Sequence, residues 1–175
     1  IGHMGFALVG LAAGTPAGVQ GVAIYMAIYV IMTLGTFAAI LMMRVDGRPV
    51  ENIDDLSGLA RTNAPMAFFL GAMMFSLAGI PPLAGFFAKW YVFLAAIQSK
   101  LFVLAVIGML ASTVAAFYYL RIVKIMYLDA PARTFDRASP ALQSVLWVSG
   151  ILVILYFVYP TPVVNAAADA AASLF

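Results

Sequence analysis

Long apolar segments follow one another along this chain, and few charged residues interrupt them. A helix needs roughly 20 residues, at about 1.5 Å per residue, to cross about 30 Å of hydrocarbon. Of the 175 residues, 65% are hydrophobic and only 9% are charged, too few to cover a water-soluble fold with polar surface. The sequence therefore predicts an integral membrane protein whose fold class is all-α, a polytopic transmembrane helical bundle.

Five apolar segments, which we name A to E, are predicted to form a single transmembrane domain over residues 1–175. Their ranges are about 1–13, 19–43, 65–99, 101–126 and 141–159. A β-barrel would instead alternate apolar and polar residues in segments of about 10 residues. The chain opens inside segment A without a signal peptide, so we expect a fragment of a longer protein. The stretch after Pro160 is expected to be a short helix along the membrane interface.

Several classes of chemistry have no residues to support them in this sequence. No cysteine is present, which excludes disulfides, thiolate metal sites and redox thiols. The sequence shows no nucleophile paired with a base, no metal-ligand cluster and no glycine-rich phosphate loop. The few charges give no basis for a nucleic-acid partner. The chemistry left to this chain is to move something across the lipid bilayer.

Segment C is too long for one straight helix, and it contains a break signal. Its roughly 35 residues would extend about 52 Å as a helix, far beyond the hydrocarbon core. Gly79 relaxes the backbone, while Pro81 and Pro82 supply no N–H group. The carbonyl groups released there need partners, which in a membrane come from protein or a water-filled cavity. Segment C is therefore predicted to be broken at residues 79–82, as helices are at the ion sites of transporters.

The distribution of positive charge decides between two topologies for segment C. A single crossing leaves Lys100 alone on one side and places seven basic residues on the other: Arg44, Arg48, Arg61, Arg121, Lys124, Arg133 and Arg137. A hairpin that returns to its starting side gives four against four. Because cytoplasmic loops are enriched in Lys and Arg, a single crossing is favoured. The loops at 44–64 and 127–140 are then cytoplasmic, and the C-terminus lies outside.

Lys89 is a charged residue deep inside an apolar segment. It lies eight residues beyond Pro81, about 12 Å along a helix, and ten residues, about 15 Å, before Ser99. An ammonium at that depth costs several kcal/mol unless water or a polar partner reaches it. We therefore expect Lys89 to exchange protons next to the break and to act as a proton carrier. The alternative is a structural lysine that is ion-paired or reaches the surface.

A stripe of hydroxyl groups on segment B is a candidate lining for a water path. Its members recur on one helix face: Tyr25, Tyr29, Thr33 and Thr36. Threonine also bonds its own backbone and tyrosine packs at interfaces, so both roles remain open for the stripe. His3 is a further candidate for a proton path, because imidazole ordinarily titrates near neutrality. Four polar residues of segment D are assigned to packing instead: Ser112, Thr113, Tyr118 and Tyr119.

Three motifs stand out along the chain. They are NIDDLSGLAR at 52–61, SLAGIPPLAGFFAKW at 76–90 and FYYLRIVKIMY at 117–127. Together they resemble the C-terminal part of the antiporter-like membrane subunits of respiratory complex I, the proton-pumping NADH:quinone oxidoreductase. The resemblance covers essentially the whole chain and implies a family fold of two inverted repeats, each with a broken helix and a central lysine. Segments A to E then resemble the last five of fourteen helices, and Lys89 resembles the central lysine of the second broken helix.

The same resemblance implies a proton-translocating subunit, surrounded by other membrane-arm subunits and lipid, with protons as the transported species. No cofactor is expected in this chain, because NADH, FMN, the iron–sulfur clusters and quinone would be bound by other subunits. Mrp-type cation/proton antiporters and membrane-bound hydrogenases share the Gly-Ile-Pro-Pro and lysine pattern and remain alternatives. A structural membrane-arm scaffold is another. The DDLSGL segment at 54–59 favours complex I.

Overall fold

The computed structural model describes residues 2–174, and in that range helices account for most of the chain. Ile1, the first residue of segment A, lies outside this range. The α-helices of the described residues, numbered α1 to α8, are Gly2–Ala12, Pro16–Met42, Leu59–Thr62, Ala64–Ala78, Ala84–Gln98, Phe102–Leu128, Pro140–Leu155 and Thr161–Ala172. Between α2 and α3 lie a two-stranded antiparallel hairpin, β1 (Arg44–Val45) and β2 (Arg48–Pro49), and a 3₁₀ turn at Ile53–Leu56.

Two helices are long and apolar enough to cross a membrane by themselves, judged by length and composition. Helices α2 and α6, which correspond to segments B and D, each contain 27 residues. Their mean hydropathies are 2.1 and 2.0. At 1.5 Å per residue each extends about 40 Å. Four shorter apolar helices, α1, α4, α5 and α7, pack with them. The described part of the chain is thus a helical bundle, as the sequence predicts.

Three helix starts are encoded by a capping side chain followed by proline. Thr15, Asn63 and Ser139 each accept a hydrogen bond from the backbone N–H three residues later, ahead of α2, α4 and α7. A proline occupies one of the first two positions of each helix. Proline is tolerated there because the first N–H groups of a helix have no intrahelical acceptor. These local signals fix where the three helices begin.

The two charged loops meet at one end of the bundle. The Asp136 carboxylate accepts hydrogen bonds from the backbone N–H groups of Asp46 and Gly47, at 3.2 and 2.8 Å. The Arg133 guanidinium lies 3.6 Å from the Asp55 carboxylate. Contacts between loops so far apart in sequence require that both lie at the same end of the bundle. Helix α4 therefore starts from the end at which α6 finishes.

The opposite end of the bundle holds the ends of α1 and α5. Ser99, which follows α5, donates a hydrogen bond to the carbonyl of Ala13, which follows α1, at 3.1 Å. Since α4 starts at the charged loops and α5 finishes here, the two helices make one broken crossing between them. The single crossing is confirmed and the hairpin alternative is wrong.

The end of segment E differs from the prediction. Helix α7 stops at Leu155 rather than continuing to residue 159, and turns lead to Pro160. In a continuous helix the ring of Pro160 would clash with the carbonyl of Tyr156, four residues earlier, which apolar composition alone does not reveal. The C-terminal helix α8 buries Ala167 and Ala171 against the bundle. Gln20 of α2 donates a hydrogen bond to the carbonyl of Val164 at 3.3 Å, so α8 packs on the start of α2.

Candidate proton-transfer site

The predicted break of segment C lies between α4 and α5. Helix α4 ends at Ala78, Gly79 adopts a left-handed backbone with φ of +87°, and α5 begins at Ala84. A Cβ atom on Gly79 would lie 3.0 Å from Nζ of Lys89. Glycine is required here twice, once for the backbone conformation and once for space. The break therefore leaves room for the lysine beside the end of α4.

The ammonium of Lys89 occupies the C-terminal end of α4. Its side chain is only 6% exposed, and Nζ donates hydrogen bonds to the carbonyls of Leu77 and Ala78 at 3.0 and 2.9 Å. In a continuous helix these carbonyls would accept hydrogen bonds from the backbone nitrogens four residues later. Here those positions are occupied by Pro81 and Pro82. Because proline has no N–H, both carbonyls are free for the lysine. The negative end of the α4 dipole also faces the ammonium.

Ser112 of α6 completes the set of acceptors around Lys89. Its Oγ accepts the third hydrogen bond at 2.8 Å, so each of the three N–H donors of the ammonium has a partner. The ring of Phe6 adds a cation–π contact, with its centroid 5.1 Å from Nζ. Among residues 2–174, the ion pairs formed by carboxylates do not involve Lys89. All the polar partners of Lys89 in this range are therefore uncharged.

Ser76 ties the two halves of the broken crossing together. It is fully buried, and its Oγ accepts a hydrogen bond at 2.9 Å from the N–H of Gly85, in the first turn of α5. Leu83, which precedes α5, offers no capping side chain, so Ser76 takes the place of a cap. A Cβ atom on Gly85 would collide with the Ser76 carbonyl. The close approach fixes α5, and with it Lys89, against the end of α4.

His3 lies in a second polar cluster, between α1, α2 and α6. Its Nδ1 is 2.7 Å from the hydroxyl of Tyr25, and its Nε2 is 2.9 Å from the hydroxyl of Tyr119. The ring also stacks on Tyr29, with centroids 5.1 Å apart. A neutral imidazole donates from one nitrogen and accepts at the other, so both tautomers bond both tyrosines. Exchange of tautomers moves a proton from one side of the ring to the other.

Glycine contacts bring α1 against α2. A Cβ atom on Gly18 would collide with the carbonyl of Gly10, so the two backbones touch. His3 lies seven residues before Gly10, and Tyr25 lies seven residues after Gly18. Because α1 and α2 run antiparallel, the register that joins the glycines also joins His3 to Tyr25. The position of the histidine is thus set by the packing of the helices.

The structure divides the predicted site residues into two groups. Lys89 lies with the break residues, and His3 lies with Tyr25 and Tyr29. Thr33 lies one turn beyond Tyr29, half-buried, and within residues 2–174 its hydroxyl forms no side-chain hydrogen bond. The same described range contains no group of three or more His, Asp or Glu side chains placed to hold a metal ion.

Two residues that sequence reasoning assigned to packing belong to these clusters. Ser112 bonds Lys89, and Tyr119 bonds His3, so the packing assignment of both is wrong. They lie seven residues apart on one face of α6, and this helical spacing indicates a shared polar face. This spacing is the signal in the sequence that could have identified Ser112 and Tyr119 as polar site residues. The partners of that face lie on other helices and could not be identified from α6 alone.

Comparisons with known proteins identify the family of the chain. The family model described as NADH:quinone oxidoreductase/Mrp antiporter, transmembrane, matches residues 1–115. The chain belongs to this family. A protein named NADH-quinone oxidoreductase subunit N, from Beijerinckia indica, is 70% identical over the whole chain, which covers 37% of that relative. The protein of the same name from Methylobacterium nodulans is 59% identical, and the chain covers 36% of it.

Two solved structures share the fold. A chain of respiratory complex I from Thermus thermophilus, solved with bound aureothin, is 26% identical with a TM-score of 0.78; the match covers 93% of this chain and 36% of that one. A chain of the Mrp complex from Dietzia sp. has a TM-score of 0.84, over 98% of this chain and 40% of that one, but at 23% identity it shows the fold alone. The chain is a bacterial inner-membrane protein, and its fold is the predicted transmembrane bundle with one broken helix. It spans little more than a third of the length of these relatives.

Proposed function

We propose that this chain is part of subunit N of a proton-pumping NADH:quinone oxidoreductase, and that Lys89 carries protons through it. The observation that carries the proposal is a buried ammonium whose three polar partners are all neutral. Release of the proton separates no ion pair, so the cost of breaking one is avoided. The 70% identity to a protein named subunit N supports this family member over an Mrp antiporter.

The site is suited to hold Lys89 in either protonation state. The ammonium uses all three acceptors, the carbonyls of Leu77 and Ala78 and the hydroxyl of Ser112. A neutral amine has two N–H donors and one lone pair. The two carbonyls then keep their hydrogen bonds, and the Ser112 hydroxyl turns to donate to the amine. Loss of the proton therefore requires only rotation of a hydroxyl group.

The His3 cluster is the proposed continuation of the proton path. Tyr25 and Tyr119 bracket the imidazole, and exchange of its tautomers carries a proton between them. Thr33 extends the same face of α2 and remains a predicted lining for water. The two clusters belong to one bundle but have no polar partner in common among the described residues.

The surroundings of the chain are part of the same proposal. Other membrane-arm subunits and lipid cover its sides, and NADH, FMN, iron–sulfur clusters and quinone are bound elsewhere in the complex. The seven-to-one distribution of Lys and Arg orients the charged loops towards the cytoplasm and α8 towards the periplasm. Chemistry in the membrane arm is then limited to proton movement, coupled to quinone reduction in other subunits.

Substitution of Lys89 tests the proposal in the full-length subunit within membrane vesicles. Lys89→Ala removes the charge, and Lys89→Arg keeps a charge that does not deprotonate. We expect both variants to lose proton pumping, with NADH-driven quinone reduction falling in parallel. Lys124→Ala is the matched control, because Lys124 pairs with Asp129 on the surface and should leave pumping intact. Normal pumping by an assembled Lys89→Ala complex would contradict the proposal and favour a structural scaffold.

A further inference from the structure

Two cavities lie against α6. Lys89 lines one of them, and His3 lines the other. The first, of about 490 Å³, lies between α5 and α6 and is lined by Lys89 and Ser112. The second, of about 430 Å³, lies between α1 and α6 and is lined by His3. None of the described residues lines both cavities. The proposed proton carrier and the proposed relay therefore face separate spaces.

An aromatic pair stands between the two cavities. Phe93 lines the cavity of Lys89, and Phe6 lines the cavity of His3. The two rings meet edge to face, with centroids 5.9 Å apart and an angle of 74° between their planes. Phe6 is only 5% exposed. The pair thus brings two apolar rings into contact between the cavity of Lys89 and the cavity of His3.

Phe6 contacts both titratable groups directly. Nζ of Lys89 lies over its ring at 5.1 Å from the centroid, and the His3 ring meets it edge-on at 6.0 Å. A benzene ring offers no conventional hydrogen-bond donor or acceptor. In the described part of the chain, no series of hydrogen bonds connects Lys89 to His3. A single ring therefore separates the two groups.

The bundle makes specific room for this pair. A Cβ atom on Gly108 of α6 would lie 2.5 Å from Cε1 of Phe93, so a larger residue there would push the ring away. Gly108 itself lines the cavity of His3, on the far side of Phe93. Because Gly108 has no side chain, the Phe93 ring can occupy the space beside it and contact the Phe6 ring.

We propose that Phe6 and Phe93 form a gate that controls proton passage between Lys89 and the His3 cluster. The proposal rests on the proposed function of Lys89. When the rings are in contact, water cannot connect the two groups. When they part, water bridges the gap, the Lys89 ammonium becomes an amine, and the imidazole of His3 gains the proton. The positive charge then moves from one cavity to the other. A permanently open gate would let protons run back down their gradient.

Proton permeability of vesicles tests the gate independently of pumping. Full-length subunits with Phe6→Ser or Phe93→Ser are assembled in the complex, a pH gradient is imposed with the enzyme idle, and its decay is followed with a fluorescent dye. Serine is small and polar, so it should admit water between the cavities. We expect the gradient to decay severalfold faster in both variants. Phe93→Ser is included because its half-buried ring is less important for packing than that of Phe6.

Two controls separate a gate from a damaged bundle. Phe69→Ser removes a partly buried ring between α4 and α7, away from both cavities, and should leave the decay unchanged. Adding Lys89→Ala to either gate variant should abolish the leak, because the path would lack its proton carrier. Unchanged decay in the assembled gate variants, an equal leak in Phe69→Ser, or a leak that survives Lys89→Ala would each overturn the gate. None of these results would refute a role of Lys89 in pumping, which the Lys89 variants test separately.

Discussion

The carbonyl of Ala78 accepts a hydrogen bond from Nζ of Lys89 at 2.9 Å, in the place where a continuous helix would offer a backbone N–H. The residue four positions after Ala78 is Pro82, which has no such group. Pro81 likewise lies four residues after Leu77, and Nζ of the same lysine also donates a hydrogen bond to the Leu77 carbonyl. Break and lysine are therefore one unit: the prolines free two acceptors, and a side chain eleven residues after Ala78 uses them.

Restoring the two missing N–H groups should displace the lysine. With Pro81→Ala and Pro82→Ala, backbone N–H groups compete for the carbonyls of Leu77 and Ala78 as α4 extends. We expect proton pumping to fall severely while the amount of assembled complex changes little. Pumping rate per assembled complex is the measurement. Unchanged pumping in the double variant would show that the prolines only bend the helix.

Gly79→Ala should disturb the site through both backbone and space. A left-handed conformation costs a residue with a Cβ about 1 to 2 kcal/mol, and the new methyl group would press on Lys89. Gly47→Ala is a matched control, because Gly47 has φ of +75° and open space around it. We expect pumping to be lost in Gly79→Ala and kept in Gly47→Ala, by assay of vesicles. Equal effects would mean that backbone strain alone is responsible.

Ser112→Ala should leave one N–H of the ammonium without its acceptor. A hydrogen bond to a charged group contributes about 1.5 to 3 kcal/mol, so proton transfer should slow by roughly tenfold or more. Ser112→Thr keeps the hydroxyl and should retain most activity. Thr113→Val is the control within the same cavity, because Thr113 bonds the backbone of its own helix. If Ser112→Ala pumped normally, the serine would be dispensable for the lysine site.

Labelling of single cysteines should reveal the orientation of the bundle. Glu51→Cys and Thr134→Cys, both at exposed positions in the charged loops, should react only with reagent on the cytoplasmic side. Ser173→Cys, after α8, should react only from the periplasm. The measurement is modification by a membrane-impermeant maleimide in intact cells and inverted vesicles, in a cysteine-free full-length subunit. The reverse pattern would invert the proposed orientation and leave the fold unchanged.

Local signals in the sequence explain why the break could be predicted. Gly79, Pro81 and Pro82 act on their own backbone, and the depth of Lys89 follows from counting residues along a helix. The contact between His3 and Tyr119 joins residues 116 positions apart and depends on how α1 and α6 rotate against each other. Hydrophobic periodicity gives little information on that rotation when a helix is apolar all round. For the same reason the sequence around Ser76, a small residue in an apolar run, gives no sign of its hydrogen bond with Gly85.

The neutral partners of Lys89 have a consequence for the electrical state of the bundle. With no anion beside it to compensate, each proton that binds or leaves changes the charge of the interior by one full unit. Two unit charges 10 Å apart interact by about 1.7 kcal/mol at an effective dielectric constant of about 20, enough to shift an equilibrium more than tenfold. If Lys89 carries protons as proposed, the interior is charged and discharged once for every proton that passes, and this change alters the energy of charged groups nearby.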